Sequence, residues 1–296
     1  MSSEDKKIQI RKYGNVSERQ ISGFVNIIMN YYKKFNVHLK PMELLVFGTK
    51  EDLLLFKKRE DEYLKADYGV RTSPISPNSA VTHYAWFDYP TITVCLEEYD
   101  KRDRDVAKAE LIRAIVHSIL HGSRRYYFIK MPHFFQRLKI LSFLEKSVVD
   151  LGFYLFTIGV KGFEVSKYIA KKDPEDFPLF KRLYQYHLRI KDEEREAWKR
   201  NAGLFDIIFL LFLDNLKLLM EASPFAFDFH DDDLKKLIEE NIELYPPVVR
   251  NDVKHLLWEY IQDLTGDAID KIELITPRIT WMTKKIEAYI KQHYFI

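Results

Sequence analysis

The chain has 296 residues, 47% of them hydrophobic, with 21 Phe and 18 Tyr, so it carries enough apolar material for one large core or two medium ones. Its 46 Lys and Arg against 44 Asp and Glu leave a formal charge of +2, which excludes a surface cationic throughout, as a general nucleic-acid binder would need. A single cysteine, Cys95, excludes an internal disulfide, and no apolar run approaches the ~20 residues that cross a bilayer, so a cytoplasmic protein without a membrane anchor is expected.

"KIQIRKY" (7 to 13) alternates like a half-buried strand, and Ser17 with Gln20 has the spacing of a capping box opening the helix "ERQISGFVNIIMNYYKKF". "PMELLVFGT" (41 to 49) reads as a second strand ending at Gly48, followed by the helical "KEDLLLFKKREDEYLKA". "AVTHYAW" and "PTITVCLEEY" are two further strands, the second entered through Pro90. "DVAKAELIRAIVHSILHG" is a helix stopped by Gly122.

From residue 132 strand signals vanish. "FFQRLKILSFLEKSVVDLGFYLF", "FPLFKRLYQYHLRIKDEEREAWKR", "GLFDIIFLLFLDNLKLLMEA", "DDDLKKLIEENIEL", "PPVVRNDVKHLLWEYIQDL" and "PRITWMTKKIEAYIKQH" all carry helical periodicity, punctuated by prolines including Pro224 and Pro277. The expected fold class is therefore α+β: a small mixed sheet with its helices over residues 1–131, then an all-helical domain over 132–296. Abundant Lys and Glu with few Gln also suggest a heat-adapted source.

The stretch "LIRAIVHSILHGS" carries the chemistry. Counting about 100° per residue from His117 puts Glu110, Arg113 and His121 within roughly 40° of it, on one polar stripe. Histidines at i and i+4 can converge on a metal ion, and His-Glu-x-x-His on a helix marks zinc peptidases because the intervening Glu takes a proton from the bound water. Neither register supplies all three groups. With His117 and His121 as ligands, Ser118 stands in the Glu position; with His117 as the second ligand, Arg113 and Ala114 stand for the first ligand and the base.

The strand "YPTITVCLEEY", this helix and its "LHGS" ending resemble zincin-like metallopeptidases of the compact gluzincin type found in archaea, over residues 7 to about 150. In that family His-Glu-Ala-Ala-His leads into Leu-His-Gly-Ser. The resemblance implies a zincin-like sheet, with the lost first ligand at Arg113, the lost base at Ala114 and a surviving ligand at His117. It also implies a third ligand, a Glu on the following helix, for which Glu145 is the best match.

On a helix through residues 138–149, Glu145 aligns with Leu138, Leu141, Val148 and Val149, and a carboxylate on an apolar face needs a partner. Arg113 is the expected one, its guanidinium taking the space of the ion. The expected function is a non-catalytic pseudo-metallopeptidase, without metal or other cofactor, that binds a protein or peptide partner. One alternative is a zinc-dependent hydrolase using His117, His121 and Glu145, with Glu110 as a base. The other is a nucleic-acid-associated protein using Arg124, Arg125, Tyr126, Tyr127, Lys130 and Arg137, basic residues interleaved with rings on which bases stack.

Weaker signals read as structural. "FHDDDLKK" is explained by capping of a helix, Cys95 by burial in a strand, and the remaining histidines, His83 among them, show no ligand spacing.

Overall fold

A computed structural model describes residues 7–68, 80–138, 144–189 and 192–294. It is α+β, as the switch in periodicity implies, and divides into two compact units, Met1–Phe128 and Ile129–Ile296.

The first unit holds a four-stranded mixed sheet built from β1 (Ile8–Tyr13), β2 (Met42–Phe47), β3 (Val81–Tyr84) and β4 (Thr91–Cys95). Their order is β1-β2-β4-β3; β1, β2 and β4 run parallel, and β3 pairs antiparallel to β4. Every residue of β2 is buried, because parallel strands need cover on both faces. The face of Leu45, Phe47 and Cys95 packs on Leu53 and Phe56 of α2 (Lys50–Tyr68). At the other end of that face Lys57 bonds Glu60 at 2.7 Å and lies 3.7 Å over the Tyr84 ring. Burial lowers the pKa of this lysine despite the neighbouring carboxylate.

The opposite face carries α1 (Glu18–Lys34) and α4 (Arg104–Leu120), which pack on each other while α4 crosses β3 and β4. The capping box of α1 is present, Ser17 Oγ accepting from Gln20 N at 3.3 Å and Gln20 Oε1 accepting from Ser17 N at 3.1 Å. One expectation is corrected: "LEEY" does not prolong β4 but forms a short helix, α3 (Leu96–Asp100), because Cys95 already ends the ladder with β2.

The second unit is helical throughout its described residues: α5 (His133–Gln136), α6 (Lys146–Lys172), α7 (Phe177–Leu188), α8 (Asp192–Arg200), α9 (Phe205–Asp228), α10 (Asp232–Ile242), α11 (Pro247–His255) and α12 (Ala268–Tyr294). Its axis of packing is α6 against α9, which approach closely where glycines face the partner. A Cβ on Gly159 would stand 3.0 Å from Lys217 Cα, and one on Gly162 would stand 2.4 Å from Glu221 Cγ.

Three boundaries differ from the sequence reading. The run 134–156 is not one helix: α5 ends at Gln136, residues 139–143 lie outside the described residues, and α6 begins at Lys146. The run 177–200 is two helices, α7 and α8. Pro224 and Pro277 lie inside α9 and α12 rather than between helices. Pro224 has no N–H for the carbonyl of Met220, and the Ser223 hydroxyl donates to that oxygen instead at 3.1 Å. Among the described residues no helix is long and apolar enough to cross a membrane.

Candidate functional site

The candidate site is built on α4. Asp103 caps it by accepting from Asp105 N at 2.9 Å and Val106 N at 3.4 Å. Val106, Leu111, Ile112, Ile115 and Val116 are buried and hold the helix to its unit. His121 is the C-cap, and Gly122 follows because any side chain there would strike the Ser118 carbonyl, 2.2 Å from an added Cβ.

Glu110, Arg113 and His117 are half-buried along the predicted stripe, and His121 is 1% exposed. The two imidazoles meet, Nδ1 of His117 lying 3.2 Å from Nδ1 of His121. Such a contact requires one nitrogen to carry hydrogen and the other to offer its lone pair. Glu110 is held by Arg102, whose Nη1 lies 2.5 Å from Oε1.

Neither candidate for the base position supplies one. Ala114 is buried, and Ser118 is 3% exposed, its hydroxyl donating to the Ile115 carbonyl at 2.6 Å and meeting the Tyr32 hydroxyl at 2.7 Å. Burial pushes the Tyr32 phenol up to about 12, against the smaller lowering effect of Ser118, so the pair is neutral at physiological pH.

The sheet brings in a residue that spacing did not reveal. His83, on β3, stacks on His117 with ring centroids 5.9 Å apart and planes 14° from parallel. Its Nδ1 is bonded to the Tyr127 hydroxyl at 2.6 Å, and Tyr127 lies edge-on to Trp86. On the other side Tyr126 sets its ring edge against His121 at 5.0 Å. The only hint in the sequence was "THYAW" in a predicted strand, since pairing across a sheet leaves no local period. Cys95 takes no part: it packs with Leu45, Phe47 and Leu53 under α2, where burial raises its thiol pKa.

Glu145 requires a correction. It is exposed, precedes the first turn of α6 and accepts from Ser147 Oγ at 3.4 Å. Its exposure at the start of α6 differs from the apolar face expected for it.

Two imidazole nitrogens on one zinc ion stand about 3.3 Å apart, given Zn–N bonds near 2.0 to 2.1 Å, so the His117–His121 spacing suits half of a site. Among the described residues no group of three or more His, Cys, Asp or Glu side chains is arranged to hold a metal ion.

The basic aromatic segment has its rings occupied. Arg124 lies 4.6 Å over Phe128, and Arg125 lies 4.6 Å over Tyr126 and bonds its hydroxyl at 2.5 Å. In the second unit Lys130 is exposed and Arg137 stands 5.6 Å over Phe134. The acidic run near 231 is a helix start, as read: Asp231 accepts from Leu234 N at 2.9 Å and, with Asp233, holds Lys181.

Comparison with models of known families, with characterised proteins and with solved structures finds no match to this chain. The likeness to gluzincin-type peptidases thus rests on the motif residues alone.

Proposed function

We propose that this chain is a non-catalytic pseudo-metallopeptidase, a binding or scaffold protein whose histidine helix serves structure rather than hydrolysis. The observation that carries this reading is the fate of the base position. The Ser118 hydroxyl is engaged with Tyr32 and the Ile115 carbonyl, Ala114 has no proton acceptor, and Glu110 is tied to Arg102. A general base contributes roughly 10² to 10⁴ in rate, so a helix without one forfeits most of what the motif supplies. Arg113 adds to this, since a permanently charged guanidinium one turn before His117 cannot ligate a cation and repels it.

The zinc-hydrolase alternative is favoured by one observation, the 3.2 Å spacing of the two imidazole nitrogens. The readings separate in protein purified without chelator. The non-catalytic reading expects zinc well below one per chain and no cleavage of unstructured peptides. Stoichiometric zinc that disappears in His117→Ala, together with hydrolysis, would overturn it. Arg113→His tests the resemblance itself: a histidine four residues before His117 should raise zinc affinity at least tenfold, and unchanged affinity would show that the assigned register is wrong.

A further inference from the structure

A second feature lies wholly within the helical unit, where α11 and α12 form an open groove of about 220 Å³ lined by Asp252, Pro277, Arg278, Trp281 and Met282. Met282 is a buried floor, and Trp281 is 58% exposed, an unusual position for the largest apolar side chain. Leu274 and Val248, on the same two helices, are also exposed, at 49% and 41%.

The charges are not balanced. Lys285 is neutralised by Asp252 at 2.8 Å and stands 5.5 Å from the Trp281 ring. Arg278 is fixed differently. Its guanidinium lies 3.7 Å over Tyr260, whose own hydroxyl is anchored on the Leu274 carbonyl at 3.1 Å. Among the described residues no carboxylate or carbonyl accepts from Arg278. A guanidinium stacked by its face keeps its edge donors, a planar fork that matches a carboxylate at two points.

We infer that this groove is a docking site for a partner protein's segment that presents a carboxylate beside a bulky apolar side chain. The carboxylate takes the Arg278 fork, and the side chain fills the space against Trp281, Pro277 and Met282. Charge complementarity calls for an anion, because one cation remains after Asp252 and Lys285 cancel. The groove is smaller than the ~300 Å³ at which pockets for free metabolites begin, while apolar exposure continues beyond it along both helices. That is the anatomy of an anchor pocket at an interface, where Trp, Arg and Met are enriched.

The inference gives the proposed binding role a place and a ligand chemistry, and it rests on that role. The two fail separately: zinc content and hydrolysis test the histidine helix, and peptide binding tests the groove. The probe is a fluorescein-labelled eight-residue peptide centred on Glu-Phe, titrated by anisotropy against the full chain, with Gln-Phe and Glu-Ala versions and AMP as comparators.

Saturable binding of the Glu-Phe peptide below about 1 mM is expected, weakened at least tenfold by Arg278→Gln and by the Gln-Phe replacement, a change of about 1.4 kcal/mol. Arg278→Lys should restore only part of it, since the charge returns without the fork. Trp281→Phe should weaken binding less than Trp281→Ala, and unchanged thermal melting of each variant separates lost contact from lost fold. Absence of saturable binding, binding indifferent to Arg278→Gln, or AMP binding more tightly than the peptide would each overturn the assignment.

Discussion

Ser118 shows at residue scale why a motif position must be judged by its partners. Its hydroxyl donates to Ile115 and stands against Tyr32 in a buried contact, so the two residues are unequal when removed. Tyr32→Phe leaves Ser118 with its carbonyl acceptor and should cost about 0.5–1.5 kcal/mol, the net worth of one hydrogen bond. Ser118→Ala strands the Tyr32 hydroxyl in the core and should cost about 1–3 kcal/mol. Urea denaturation of both variants checks the order, and an equal or reversed cost would mean that water reaches the phenol. The sequence exposed the polar stripe of Glu110, Arg113, His117 and His121 because it has a helical period. It could not expose His83, which reaches His117 through the β3–β4 pairing, nor the exposure of Glu145, which stands at the N-cap of α6 rather than inside a helix.

At the scale of elements, the same residue type carries opposite expectations in two helices. Gly23 of α1 has nothing within 4 Å of an added Cβ, so Gly23→Ala should stabilise by about 0.5–1 kcal/mol through helix propensity and reduced freedom of the unfolded chain. Gly162 of α6 faces Glu221, 3% exposed on α9, with three of its side-chain atoms 2.4–2.7 Å from the added carbon. Gly162→Ala should therefore destabilise by about 1–3 kcal/mol, the cost of overpacking a close helix contact. Thermal melting distinguishes the cases, and stabilisation by Gly162→Ala would mean that α6 and α9 can part. Capping signals such as Ser17 with Gln20 and Asp231 before Leu234 were legible because they act within one turn. Pro224 sits inside α9 for the complementary reason: the hydroxyl that rescues the Met220 carbonyl comes from Ser223, a substitution of donors that periodicity does not encode.

For the whole molecule, the change from period-two to helical patterning near residue 130 made the two-part architecture legible, whereas the polar interior of the helical unit was not. Lys161 lies within that interior, buried in α6, where desolvation lowers its pKa from 10.5 to about 7. Between those values the unfolded chain holds a proton that the folded chain does not, so stability must rise with pH across the window. The penalty is fully present below pH 7, where folded and unfolded states are both charged. It fades as pH climbs toward 10.5. The linkage relation gives a gain of about 2 kcal/mol between pH 7 and pH 9 from this one group. Lys57 shifts in the same direction, so the contribution of Lys161 must be read as a difference between proteins. Lys161→Met should be more stable than the parent at pH 7, and the advantage should shrink by about that amount at pH 9. Urea midpoints at the two pH values measure it directly. An advantage that stays constant with pH would mean that Lys161 keeps its proton throughout despite its burial.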